Sequence, residues 1–232
     1  MGLPVLPHPT FELTIPSTNE KIRYRPYLVK EEKILLLAQQ SGEPQDIIEA
    51  VSQIISNCVN NYDTTSITSF DTEYIFLKLR ANSVSDLATI NVYDDETEQY
   101  VEVEVDLNDV QCPIIDQNNI IQLSEGVSIT LRYPKYTDLL KINPDDDFET
   151  STDYLAMCID KVLNGDEVLE LKDFSKEEQE TFINSFSADS FKNIKKYFDT
   201  MPKVTMEIEY KVKVNNRNKT KKKKLEGIAD FF

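Results

Sequence analysis

Histidine is almost missing from this chain of 232 residues: His8 is the only one. A nucleophilic system of the Ser-His-Asp or Cys-His kind needs an imidazole fixed in a pocket. His8 lies instead in the Pro-rich stretch MGLPVLPHPT, where an exposed terminal side chain is expected. Glycine is scarce too. Its five copies stand apart from one another, which excludes a Gly-rich phosphate loop. With only ten prolines besides, most of the chain is left to regular structure. The three cysteines, Cys58, Cys112 and Cys158, are scattered and odd in number. No pair has metal-ligand spacing and a disulfide scaffold would be denser, so reduced thiols in a cytoplasm are expected. Apolar runs such as Ile34 to Ala38 fall far short of the roughly 20 residues that span a bilayer. No basic region precedes an apolar stretch at the N-terminus, so no secretory signal is expected. Gly2 lacks the downstream Ser or Thr of a myristoylation site. These absences leave no expected catalytic residue, cofactor, metal, small-molecule substrate or membrane.

What is present reads as a folded protein. Apolar residues make up 40% and charged residues 28% of the chain, which is ordinary for a globular protein. The length suffices for one large domain or two small ones with a real core. Charge is uneven. The net charge is −16, yet residues 203–232 carry eight Lys and one Arg against three Glu and one Asp, a surplus of +5 that leaves −21 on the first 202 residues. A body this acidic repels nucleic acid and anionic membranes. Only the C-terminal segment is exempt from that repulsion.

Periodicity gives the elements. Phe11, Leu13 and Ile15 alternate with polar residues, PSTNE supplies a turn, and Ile22 and Tyr24, with Pro26 to Leu28 as an extension, return as a β-hairpin. KEEKILLLAQQSG predicts a helix with acids in its first turn and Gly42 as its C-cap. Pro44 opens a second helix through Ile47, Ile48, Val51, Ile54, Ile55 and Val59, and the two should form an αα-hairpin. Phe70 to Arg80 reads as a third helix, less cleanly one-faced. Strands follow at Ile90–Val92 and Val101–Val105 around the turn DDET, and again at Val127–Leu131, which Pro134 ends. The second half is mostly helical. Ser151 to Leu163 is expected as a helix stopped by Asn164-Gly165, Ser175 and Glu178 form a capping box for a helix through Phe186, and Ser190 to Thr200 forms another. The clearest strand runs from Val204 to Val214, and NNRN turns it into a lysine-rich return.

The fold class is therefore α+β, mostly antiparallel: a helical body, an N-terminal β-hairpin and two helix-plus-hairpin units, at 70–105 and 190–225, that read as a duplication. Three segments divide the chain at 1–69, 70–135 and 136–232, with one continuous domain as the alternative.

Few constellations carry chemistry. The acid clusters Asp94-Asp95-Glu96 and Asp145-Asp146-Asp147 lack the alternation, central Gly and terminal Glu of a calcium loop and read as solvated turns. Lys221, Lys222, Lys223 and Lys224, with Lys211, Lys213 and Arg217 nearby, are the candidate phosphate contacts. Against that reading, no aromatic residue interleaves for base stacking. Folding the hairpin about 215–218 sets Glu209 near Lys224 and Glu207 near Glu226, and a lysine-rich strand protects an open sheet edge. Attraction to an acidic partner protein is the third reading. In the tail LEGIADFF, Phe231 and Phe232 should dock, on the protein's own body in preference to a partner.

Three collinear segments carry a resemblance. FELTIPSTNEKIRYRPYLVKEEKILLLA, then FDTEYIFLKLRANSV, then KKYFDTMPKVTMEIEYKV with the closing LEGIADFF, resemble the blocks of the T-even phage baseplate hub assembly proteins. They frame nearly the whole chain; residues 107–185 carry no recognisable block. The resemblance implies a non-enzymatic myovirus protein that helps build the hub of the tail baseplate. It would act in the host cytoplasm as an assembly chaperone or reside in the virion tail as a baseplate subunit, with other tail or baseplate hub proteins as partners and no catalytic residue to carry over. It also implies that relatives bear paired cysteines, like small zinc knuckles, in their two hairpins. NVYDDETEQYVEVEV and EIEYKVKVNNRNKTKKKK contain none, which argues against zinc here. The competing functions are a nucleic-acid-binding regulator using the basic hairpin and, more weakly, a metal-dependent hydrolase using the acid clusters.

Overall fold

The computed structural model describes residues 4, 6–60, 62–141, 151–214 and 217–231, and its fold is α+β with antiparallel sheets. By contact the chain falls into two compact units, Met1–Ile114 together with Pro202–Phe232, and Ile115–Met201. The first is discontinuous.

Strands Phe11–Thr14 (β1) and Lys21–Tyr24 (β2) pair with Leu13 opposite Ile22, and the alternation buries Ile22 and Tyr24. Helix Val29–Ser41 (α1) opens on buried Glu31, whose carboxylate accepts the Leu28 N–H (2.9 Å) and the Arg25 guanidinium (2.9 Å), so a backbone donor at the helix entry is satisfied. It ends at Gly42, φ 74°, in the left-handed region that glycine enters without strain. Helix Pro44–Cys58 (α2) starts on proline, whose missing N–H costs nothing in a first turn, and buries Val51, Ile54, Ile55 and Cys58. Val59, expected as helix, instead begins the short strand Val59–Asn60 (β3), with Val59 opposite Tyr24. The open edge of β2 offers its backbone a ladder that a helix end does not. Helix Ser69–Ser83 (α3) is capped by Thr68 and buries Phe70, Ile75, Phe76, Leu77 and Leu79. Burial on several sides explains its indistinct face. Hairpin Leu87–Asp94 (β4) and Gln99–Asp106 (β5) turns Ala88, Ile90 and Val92 inward. Lys78, 9% exposed, reaches from α3 to donate to the carbonyls of Leu107 (3.1 Å) and Asn108 (2.6 Å) in the turn that follows.

The second unit is a four-stranded sheet with helices. Ile120–Ser124 (β6), Val127–Leu131 (β7), Ile159–Asn164 (β8) and Glu167–Leu169 (β9) pair in that order, all antiparallel. The helix expected over Ser151 to Leu163 stops early. Thr152–Cys158 is helix (α4), and Ile159 onward is strand. The β-branched Ile159 and Val162 take the edge of β7, and Asn164-Gly165 lead into a hairpin turn instead of a helix stop. Helix Lys176–Asn184 (α5) has the Ser175–Glu178 capping box, and Ala188–Asp199 (α6) is capped by Ser187. Ile129, Leu131, Leu155, Cys158, Ile194 and Phe198 make this unit's core.

The chain then returns. Thr205–Val214 (β10) and Arg217–Glu226 (β11) form a hairpin in the first unit. Val204, Met206, Ile208, Tyr210, Val212 and Leu225 share one core with Leu77, Ala88, Ile90, Val92, Val105 and Leu107. The linking residues Asn215 and Asn216, and the cluster Asp145-Asp146-Asp147, lie outside the described residues.

Candidate interaction surface

The register of the basic hairpin decides where each lysine goes. Val214 stands opposite Arg217, Glu209 opposite Lys222 and Glu207 opposite Lys224. This differs by two residues from the sequence expectation, because a loop of only two residues closes the hairpin. Strand alternation then splits the run into two sets. Lys222 and Lys224 lie on the exposed side, with Glu207, Glu209, Lys211 and Lys213; Lys219, Lys221 and Lys223 lie on the side of β10's buried residues.

The inward set is spent inside the molecule. Lys221 pairs with Asp94 (2.6 Å) and Glu96 (2.9 Å) at the turn of the β4–β5 hairpin, and Lys219 pairs with Glu96 (2.7 Å). Lys223 reaches the Tyr93 carbonyl (3.4 Å). Asp94 is 1% exposed and also accepts the Tyr210 hydroxyl (2.8 Å) and the Thr97 N–H (2.9 Å). The Lys221 ammonium holds the Asp94 carboxyl well below the usual carboxylate range, and Asp94 in turn raises Lys221. Asp94 is therefore no solvated turn residue. It is the acceptor that joins one hairpin to the other, with its charge paired and hydrogen-bonded as burial requires.

The outward set is partly spent. Lys222 pairs with Glu209 (3.0 Å) and Lys224 with Glu226 (2.8 Å), both pairs largely exposed. Such pairs contribute little, about 0–1 kcal/mol. Lys211 and Lys213 are exposed, stand opposite Thr220 and Asn218, and have no carboxylate within pairing distance among the described residues; the same holds for Arg217 beside the turn. The tail behaves differently. Phe231 is 1% exposed within the first unit's core, and the Ile228 N–H donates to Glu73 on α3 (3.2 Å). Burial pushes Glu73 up to about 7, opposed by that amide and by Lys203. Phe231 is thus docked on its own chain, while Phe232 lies outside the described residues.

The remaining sequence candidates do not converge. His8 lies exposed beside Leu6, Val29 and Val84 in an open apolar groove. All three cysteines are free thiols; burial raises Cys58 to about 11 and Cys112 and Cys158 to about 12, so each stays protonated at neutral pH. Among the described residues no group of three His, Cys, Asp or Glu could hold a metal. In a charged groove of the second unit Arg132 pairs with Asp138 (2.9 Å), Lys172 with Glu170 and Lys176 with Asp153 (3.4 Å), so these cations and carboxylates neutralise one another. Sequence reasoning missed Glu73 and took Asp94 for part of a solvated turn. Glu73 had a signal, a carboxylate among the apolar residues of a helix that is buried on several sides; Asp94 had none before the register was known.

One further exposed feature lies on α1, where Val29 and Leu37 are 71% and 66% exposed. A family model described as "T4 bacteriophage base plate protein" matches residues 8–232. No curated protein and no solved structure matches the chain.

Proposed function

The chain belongs to the T4 bacteriophage base plate protein family, and on that premise we propose that it is a non-enzymatic hub assembly protein that works by binding other tail proteins. The observation that carries the reading is the exposed face of the basic hairpin. Lys211 and Lys213, with Arg217 at the turn, are cations without a carboxylate partner among the described residues, on a chain whose net charge is −16. A free cationic face on an acidic protein favours an acidic protein surface as its complement, because the remaining charge repels nucleic acid and steers a protein partner to one side. Val29 and Leu37 on α1 are exposed apolar side chains in addition, each beside a different groove. In this reading the protein acts in the host cytoplasm during assembly, meeting other baseplate or hub proteins, and the tail baseplate is where it would remain if it is a subunit.

A Lys211→Glu, Lys213→Glu double variant tests it. Affinity capture from infected cells should recover baseplate or hub proteins with the parent chain and lose them with the variant, while the variant's thermal unfolding stays unchanged because neither side chain is buried. Recovery of the same partners by both chains would reject the assignment of this face. The nucleic-acid reading makes a different forecast: a gel shift whose affinity falls steeply with salt. Four of the run's lysines already contact acids or a carbonyl within the chain, which disfavours it.

A further inference from the structure

Two places far apart in the chain make the same set of contacts. In the first, β2 runs into Arg25. Its backbone N–H donates to the Cys58 carbonyl (3.0 Å), and its guanidinium donates to the next residue's carbonyl, Pro26 (2.8 Å), and to the carboxylate of Glu31 (2.9 Å). Glu31 accepts the N–H of Leu28, three residues before it. A helix ends at Cys58, and the next residue, Val59, pairs with Tyr24. In the second, β7 runs into Arg132. Its N–H donates to the Cys158 carbonyl (2.8 Å), and its guanidinium donates to the next carbonyl, Tyr133 (3.1 Å), and to the carboxylate of Asp138 (2.9 Å). Asp138 accepts the N–H of Lys135, three residues before it. A helix ends at Cys158, and Ile159 pairs with Leu131.

In both, the acid stands six residues after the arginine and the cysteine closes a helix one residue before a strand. Each contact taken singly is an ordinary way to satisfy a strand end or a helix entry. Five in the same order, each set built on an arginine, an acid six residues on and a helix-closing cysteine, point to copying. The surroundings agree. An antiparallel hairpin precedes each arginine, β1–β2 and β6–β7, and further on each has a hydroxyl-capped helix, α3 and α6, followed by a long hairpin, β4–β5 and β10–β11. Between the arginine and the cysteine the first place carries two helices, α1 and α2, while the second carries α4. After the cysteine the second adds β9 and α5.

We infer that residues 11–106 and 120–226 are two copies of one structural unit, and that the closing hairpin of each copy is the surface by which it binds another copy of the same unit. A lone two-stranded hairpin is marginal in water and must bury its apolar face on a second layer. Here that layer is the other copy's hairpin. Ala88, Ile90, Val92 and Val105 share one core with Met206, Ile208, Tyr210, Val212 and Leu225, and Lys221 fastens to Asp94 across it. The unit's partner is thus a second hairpin of its own kind, supplied within a single chain.

Two measurements on the whole protein test this. A protease site placed between the exposed Ile114 and Ile115 divides the copies after folding. Native mass spectrometry should then show fragments 1–114 and 115–232 as one 1:1 particle that separates only in denaturant; fragments that part in plain buffer would overturn the joining role. For the repeat itself, Arg25→Met and Arg132→Met should each speed amide exchange at that same position about tenfold, the scale of a lost charged hydrogen bond opening a strand end, and leave the other position unchanged. Acceleration at one position alone, or an equal effect of either variant at both, would overturn the equivalence. Should a methionine variant fail to fold, Arg→Lys at the same positions keeps the charge and removes the fork, with the same forecast.

Discussion

Glu73 and Tyr210 show how single side chains tie the C-terminal segment down. Glu73 has a carboxyl raised by burial from an ordinary 4.5 to about 7. The folded state therefore holds its proton more tightly than the unfolded chain does, so the contribution to stability is complete below about pH 4.5 and is lost as pH rises through about 7. A shift of this size is worth roughly 2–4 kcal/mol. Thermal unfolding followed from pH 4.5 to 8 should show Tm falling over that window. Glu73→Gln keeps an oxygen for the Ile228 N–H and should flatten the slope; an unchanged slope would show that another group carries it. Asp94 works in the opposite sense. Its carboxyl is held low by Lys221, so its contribution is present above the ordinary carboxylate value and disappears as pH falls below it. For these two groups the joint contribution is greatest in the ordinary carboxylate range, between the window where Asp94's part is lost and the one where Glu73's is lost. Tyr210→Phe removes the hydroxyl that Asp94 accepts at 2.8 Å and leaves the ring packing intact. It should cost about 1–2 kcal/mol by denaturant unfolding with little change in m-value.

Elements were legible where one face is wet. The hairpins β4–β5 and β10–β11 and the helices α1, α2, α5 and α6 follow from period and caps, because exposed positions between buried ones leave a readable trace. β6, β9 and the β8 half of the expected helix were not. IDKVLN fits either period, and what decides is the open edge of β7, a pairing formed with residues some 30 positions earlier. The register of the basic hairpin likewise turned on its loop length, and through it on which lysines face the acids of another hairpin. Gly165 makes the second-unit turn testable. At φ 59° it is the first of two residues between Asn164 and Glu167, a position that favours glycine in a hairpin of this length. Although a Cβ would meet nothing within 4 Å, Gly165→Ala should lose about 1–2 kcal/mol through backbone strain alone. Gly165→Asn should lose less, since Asn tolerates that region. Equal losses would point to packing instead of the backbone.

At the scale of the whole molecule, the family match over residues 8–232 and the α+β class were within reach of sequence reading, whereas the discontinuity of the first unit was not. No local pattern says that a strand starting at Thr205 buries its face with one starting at Leu87; that depends on where the intervening unit delivers the chain. The last residues consequently finish a core begun by the first hundred. Phe231 is the endpoint of that closure, and Phe231→Ala should cost about 3 kcal/mol, the usual loss for a buried aromatic. It should do more than that. Glu73 owes its raised pKa to burial near the tail amide it accepts, so a tail that undocks exposes the carboxyl to water and returns it toward its ordinary value. Phe231→Ala should then erase the fall of Tm between pH 4.5 and 8 as fully as Glu73→Gln does, and the two changes combined should cost less than their sum, as contacts that share one structural event do. Additive losses, or a pH slope that survives the alanine, would mean that Phe231 and Glu73 hold the tail independently and that the C-terminal residues do not close the unit as one piece.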